Sequence, residues 1–402
     1  MSKRLLALCI LLIVVIGIVS TAAAQDDAVV VVEPGDPVML GMGTNLSFEG
    51  AVTYGIDIER GGRMALEDRP TVTVDGVEFA LDLDVQDSGC LPEGGQPVAN
   101  RFVSDESIVG VIGHMCTGST LAAIPIYDDA GYTIISPSST NAMLTLSGYT
   151  SFNRAVVSDA FQGVKAAEFI YNELGITTIA TIHDGSPYGE GLVVVLSETF
   201  EELGGEVVAA DALTVGEPDY RALLEDIAQS EPELIYFGGF IAEAARLIQQ
   251  RADAGMADAI FMGADGILGT DLIEFAGEDA EGVYASAAAP ANSDDYAALL
   301  ERYLETYEET PPGPYHANAY DAFNIFADAI EAVGTIDDDG NLVISRADLS
   351  KYVRSVQDFE GLTGTLNADG TGEMSVSDIG FHLVEDGEFV LILTMSAVEE
   401  ME

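Results

Sequence analysis

Bases are scarce in this chain. Its 402 residues carry 15 Lys and Arg against 68 Asp and Glu, a formal net charge of −53, and only Lys3, Lys165 and Lys351 are lysines. Phosphate backbones and anionic membranes are held by clustered Lys and Arg, so neither is an expected partner. An acid-rich, lysine-poor surface suits a salty exterior, although composition does not choose the habitat. Several chemical signatures are also missing. There is no G-x-x-x-x-G-K-[ST] loop, no H-E-x-x-H and no G-x-S-x-G elbow, which argues against P-loop ATP hydrolysis, a zincin and that kind of serine hydrolase. The four histidines (His114, His183, His316, His382) are scattered, so no metal site is expected. Gly41-Met42-Gly43 lacks the third glycine of a dinucleotide loop. The acidic turns at 337–340 and 367–373 lack the full calcium-loop spacing.

What is there points to a large globular α/β protein. Hydrophobic residues make up 48% and charged residues 21%, which excludes a disordered chain, a collagen and a coiled coil. The length is too great for one ordinary core and fits two domains. The one long apolar run, residues 5–19, follows Lys3 and Arg4 and leads to Ala22-Ala23-Ala24. Its 15 residues are fewer than the roughly 20 a spanning helix needs. A positive start, a short apolar core and an A-x-A exit predict a secretory signal peptide over residues 1–24; an uncleaved anchor is the alternative. Removing it leaves Cys90 and Cys116. Two cysteines in an exported chain most simply form one disulfide, with two buried free thiols as the other possibility.

Beyond a polar, Pro-rich lead-in at 25–37, apolar runs alternate with helical patterns. Strands are predicted at 38–42, 79–85, 108–112 and 132–135, with helices at 54–67, 97–103 and 119–130. The rhythm restarts after Arg154, with helices at 160–174, 189–203, 220–228 and 242–254. Strands are predicted there at 178–182, 206–210, 234–237 and 260–262. A strand at 283–289, helices at 295–307 and 315–333, and a turn-rich antiparallel tail at 362–393 follow. Strand–helix alternation implies parallel βαβ units. The fold class is therefore α/β: two doubly wound Rossmann-like lobes joined by a hinge of several crossovers. Lobe one is expected from 38–156 and 287–365, lobe two from 157–286 and 366–402.

Ligands of open α/β sheets collect beyond the carboxyl ends of the strands. Those ends read His114-Met115-Cys116-Thr117-Gly118-Ser119-Thr120, Ser136-Pro137-Ser138-Ser139-Thr140, His183-Asp184-Gly185-Ser186-Pro187-Tyr188, Gly238-Gly239-Phe240 and Gly263-Ala264-Asp265-Gly266. A hydroxyl beside free N–H groups at a helix start receives a carboxylate without any Arg, and Thr117 and Thr140 fit; plain N-capping is the other reading. Asp265 suits a cationic group or a simple turn. Tyr54 and Tyr188 suit a lid over a ligand or packing at a lobe edge.

These segments resemble the branched-chain amino-acid type of periplasmic substrate-binding protein that serves ABC importers. Val111-Ile112-Gly113-His114-Met115-Cys116-Thr117-Gly118-Ser119-Thr120 is similar to that family's "VIGHxCSSST", and Ile135-Ser136-Pro137-Ser138-Ser139-Thr140-Asn141 to its "ISPxxTN". Ile182-His183-Asp184 with Tyr188-Gly189-Glu190-Gly191-Leu192 matches "IHDxxxYGEGL". Tyr236-Phe237-Gly238-Gly239 and Phe261-Met262-Gly263-Ala264-Asp265-Gly266 resemble "YYGG" and "FMGxEG".

The resemblance implies the type I periplasmic-binding fold and a set of roles. Thr117 would bind the ligand α-carboxylate, the Ser138 carbonyl its α-ammonium, and Thr140 both ends, with Ser139 beside them. Tyr188 and Asp265 would close from the second lobe. Tyr54, Met115, Phe240 and Tyr315 would line the side-chain pocket. Cys90 and Cys116 fall at the family's disulfide positions, and His183 and Asp184 read as framework. Three departures stand out: Thr117 replaces Ser, Asp265 replaces a longer Glu, and Phe240 replaces a Tyr. The expected protein is thus an exported, non-catalytic binding protein without a cofactor. It would capture an amino acid, aliphatic by first choice, and hand it to a membrane permease, with no membrane insertion of its own after signal cleavage. A sensor of the same fold for amides, polyamines or other amino acids is the rival.

Overall fold

The computed structural model describes residues 28–289, 292–374 and 378–396. The expected signal peptide lies outside them. Two sheets organise the chain. The first has the spatial order Thr71–Val74, Val77–Asp87, Val38–Thr44, Ile108–Gly113, Ile134–Ser136, Phe152–Arg154. All its pairings are parallel except that of Thr71–Val74 with Val77–Asp87. The second runs Glu388–Met395, Ile379–Glu385, Tyr284–Ala288, Ile260–Gly263, Leu234–Gly238, Thr178–His183, Glu206–Ala212. Its five-strand core is parallel, with an antiparallel hairpin at one edge. Strands such as Ile108–Gly113 and Leu234–Gly238 are buried along their whole length, because helices cover both faces of a parallel sheet.

The chain crosses between the sheets three times: after Phe152–Arg154, after Tyr284–Ala288, and between the short hairpin strand Gly364–Leu366 and Ile379–Glu385. The helix His316–Val333, which follows the second crossing, packs along Val52–Asp68 on the six-stranded side. This is the expected architecture of two doubly wound lobes and a multi-crossover hinge. It brings the carboxyl ends of both parallel sheets to one gap.

Several elements depart from expectation in detail. The lead-in contains a strand, Val29–Val32, paired antiparallel with Leu342–Ser345. Val30 and Val32 point inward and Val29 and Val31 outward. Four valines in a row hide that alternation in the sequence. The helix expected over 160–174 is α-helical only through Asp159–Glu168 and continues as a π turn, Phe169–Glu173. The Asp386-Gly387 turn signal does close a hairpin: both residues have positive φ, 52° and 77°, as a type I′ turn requires. No helix among the described residues is long and apolar enough to cross a membrane.

Candidate functional site

The site starts where the strand Ile108–Gly113 gives way to the helix Thr117–Ala130. Gly113 has φ +128°, and a Cβ there would meet the Gly43 carbonyl oxygen at 2.4 Å, so only glycine lets the chain leave the sheet here. A disulfide joins Cys116, the residue before the helix, to Cys90, with Cα atoms 4.8 Å apart. No side chain caps this helix. Its first N–H groups are therefore left for a partner other than a capping side chain, with the Thr117 hydroxyl beside them. His114, one turn earlier, is framework. Burial pushes its pKa down to about 3; the neutral ring meets the Tyr127 hydroxyl at 2.8 Å. Its carbonyl collects the hydroxyls of Thr120, Ser136 and Ser139.

The next loop is pinned to this one. Ser138 donates its hydroxyl to the Met115 carbonyl at 2.8 Å. Ser139 is fully committed to structure: its hydroxyl bonds the His114 and Met115 carbonyls, its N–H the Ser136 hydroxyl, and its carbonyl accepts from Arg154. It is not among the residues that line the hollow. The same Arg154 nitrogen also holds the Thr140 and Asn141 carbonyls at 2.7 and 2.9 Å. The guanidinium is wholly buried and also meets Glu373, beside the third crossing. Thr140 itself is buried, and its hydroxyl lies near enough to the Asp159 carboxylate to act on it, although no hydrogen bond of ordinary geometry joins them among the described residues.

The opposite wall comes from the seven-stranded lobe. Asp265 follows the strand Ile260–Gly263. One of its oxygens accepts from Tyr188 at 2.9 Å and from Gln162 at 3.0 Å; the other accepts from the Tyr315 hydroxyl, which reaches across from the first lobe. Tyr188 also accepts the Gly266 N–H at 3.0 Å. A Cβ on Gly266 would lie 2.4 Å from the Gly239 carbonyl and 2.9 Å from the Tyr188 ring. Burial raises the pKa of Asp265, and the hydrogen bonds from Tyr315, Tyr188 and Gln162 only partly offset it. Burial and the Asp265 charge push the phenols of Tyr54, Tyr188 and Tyr315 well up, so they remain donors.

Sequence reasoning missed Asp159 and Gln162, the first and fourth residues of the helix Asp159–Glu168. Asp159 is buried, and neither carboxylate oxygen has a hydrogen-bond partner among the described residues. Burial, then the charge of Asp265, raises its pKa well up; the Thr140 hydroxyl and Arg154 act in the other direction. The Tyr54 hydroxyl and the Gln162 side-chain oxygen also have no partner among the described residues. Buried polar groups without partners are rare and need a cause. A helix that begins with Asp after the N-capping Ser158 looks ordinary in sequence, so only the fold reveals Asp159.

Tyr54, Met115, Thr117, Ser138, Tyr188, Phe240, Asp265 and Tyr315 line one buried hollow between the lobes, and Thr140 and Gln162 line its continuation. Phe240 packs on the Tyr188 ring at 5.4 Å and edge-on to Phe48 at 6.3 Å. Tyr54 meets Tyr315 edge-on at 5.7 Å. His183 and Asp184 stay in the turn, accepting the Gly185 and Ser186 N–H groups. A larger cavity, about 700 Å³, lies beyond residues 313–315 and holds none of the strand-end hydroxyls or Asp265; size alone does not mark the site. Among the described residues no three His, Cys, Asp or Glu side chains are placed to hold a metal ion.

The arrangement suits a small zwitterion: N–H and hydroxyl donors at one end, buried carboxylates at the other, aromatic walls between. The family model described as periplasmic binding protein matches residues 37–380. The leucine-, isoleucine-, valine-, threonine- and alanine-binding protein of Pseudomonas aeruginosa is 32% identical over 327 residues, 81% of this chain and 84% of that one. The Leu/Ile/Val-binding protein homolog 1 of Brucella suis is 31% identical over 340 residues, 84% and 87% of the two chains. The crystal structure of a leucine-binding protein, LivK, from Thermotoga maritima superposes with a TM-score of 0.81 at 26% identity, covering 90% of this chain and 99% of that one. On these grounds of sequence, fold and strand-end geometry together, the chain belongs to the periplasmic binding protein family.

Proposed function

We propose that this protein captures an amino acid, an aliphatic one by first choice, in the interlobe hollow and delivers it to the permease of an ABC importer, acting outside the cytoplasm and without catalysis. The observation that carries the reading is the pattern of unclaimed groups. The helix Thr117–Ala130 begins without a cap, which suits the α-carboxylate together with the Thr117 hydroxyl. Asp159 and the Thr140 hydroxyl are buried beside one another with no hydrogen bond of ordinary geometry among the described residues, which suits the α-ammonium beside Asp265 and the Ser138 carbonyl. Tyr54, Met115, Phe240 and Tyr315 take the side chain. In this reading residues 38–156 with 287–365, and 157–286 with 366–402, move as two bodies, and ligand favours the shut form by touching both. The relatives named for binding leucine, isoleucine and valine support that ligand class.

The two buried carboxylates favour a second reading, a sensor of the same fold for polyamines, because two acids would hold more than one amine. Titration calorimetry against a panel of amino acids, amides and polyamines separates the ligand classes. Heat with aliphatic amino acids and none with polyamines is the expected result; no heat with any of them overturns the proposal. Permease and ATPase genes beside this one would mark transport, and a neighbouring sensor gene would mark signalling.

A further inference from the structure

One bond between the lobes lies outside the ligand hollow. Asn141 follows the loop at the end of Ile134–Ser136 in the six-stranded sheet, whereas Pro187 opens the helix Pro187–Glu202, which packs on the seven-stranded one. The Asn141 side-chain amide donates to the Pro187 carbonyl at 2.6 Å. That amide is oriented in advance. Its oxygen accepts the Met143 N–H at 2.8 Å, and its own backbone carbonyl is held by Arg154 at 2.9 Å. The facing helix has made room for it. Gly191, one turn after Pro187, lies so close that a Cβ there would sit 2.2 Å from the Asn141 amide nitrogen and 3.3 Å from its Cγ. Glycine in a helix interior is destabilising relative to alanine, and here its missing side chain is the seat of the amide. Asn141 lines neither the hollow nor its continuation.

We propose that Asn141 and Gly191 form a latch that stabilises the shut form whether or not ligand is present, and so set how long a ligand stays. Asn141 is a positioning residue in this scheme. It acts on the balance between open and shut lobes and makes no contact with the ligand. The latch deepens the binding reading above and rests on it for its effect on residence time, whereas its effect on the ligand-free balance does not depend on that reading.

The test uses the secreted full-length protein with one donor and one acceptor dye on opposite lobes, in wild type, Asn141→Ala, Gly191→Ala and the double variant. Without ligand, Asn141→Ala should lower the shut fraction, and Gly191→Ala should lower it further because its methyl strikes the amide. The double variant should match Asn141→Ala, since removing the amide removes the clash. With the amino acid giving the largest calorimetric heat, Asn141→Ala should release it three- to tenfold faster, with an unchanged association rate. Additive effects of the two substitutions, or wild-type shut fractions in all variants, overturn the latch. If no amino acid binds wild type, the binding reading fails while the ligand-free distances still decide the latch.

Discussion

Asp265 and Asp159 carry the most at the scale of single residues. If Asp265 meets an ammonium, Asp265→Asn lowers amino-acid affinity at least tenfold, since about 1.4 kcal/mol is a factor of ten; Asp159→Asn is expected to do the same. Calorimetry on the two variants checks both, and wild-type affinity would remove the residue from the site. Thr117→Val keeps the shape and removes the hydroxyl. Its cost should be about ten- to hundredfold in affinity, matching the roughly 1.5–3 kcal/mol of a hydrogen bond to a charged group.

The raised pKa values of both acids also set a sign for pH. An acid raised in the folded state adds stability at low pH, and that stability is lost as pH rises through the folded-state value. An ammonium between the two acids reverses the preference and favours their ionised forms. Binding should therefore release protons, and affinity should fall as pH drops through the raised values. Calorimetry in two buffers of different ionisation heat measures the protons released. A flat pH profile with no release contradicts the assigned contacts.

Among the elements, the helix Thr117–Ala130 is the one the proposed reading assigns to the ligand carboxylate, and the Cys90–Cys116 bridge anchors its start. Cys90→Ala with Cys116→Ala should lower unfolding stability by about 2–5 kcal/mol, and amino-acid affinity should fall with it because the helix start is no longer held. Denaturant melts read the first and calorimetry the second. Much of this level is legible in sequence. The apolar runs of the central strands are continuous because both sheet faces are covered, and the polar, Gly-rich segments after them supply most of the hollow's lining. The helix Arg346–Val353 went unread although its signal was present: Ser345 caps the N–H of Asp348, three residues on. The edge strand Thr71–Val74 went unread although its threonines and valines alternate, whereas the four valines of Val29–Val32 hide their alternation. Asp159, Gln162 and the commitment of Ser139 to its own loop were not legible, because each depends on which distant carbonyl or carboxylate the fold brings near.

The whole molecule adds the geometry that no single element has. Three crossings let two sheets present their strand ends to one hollow, and side chains from both lobes meet there around Asp265. Residues that line it are buried, and in the proposed reading ligand exchange requires the lobes to part. Small-angle scattering should show a smaller radius of gyration with bound amino acid than without, and an identical radius would leave closure without support. The formal charge of −53 opposes compactness through self-repulsion, which salt screens. Thermal stability should therefore rise with added salt.

The central claim is that a zwitterion is held by its two poles between Thr117 and the paired acids. A crystal structure of the protein with its tightest-binding amino acid tests it most directly. The ligand carboxylate should lie on the Thr117 hydroxyl and the first N–H groups of its helix, with the ammonium within hydrogen-bond distance of Asp159 or Asp265. A ligand found outside the hollow, or lying in it with its poles reversed, would contradict the account.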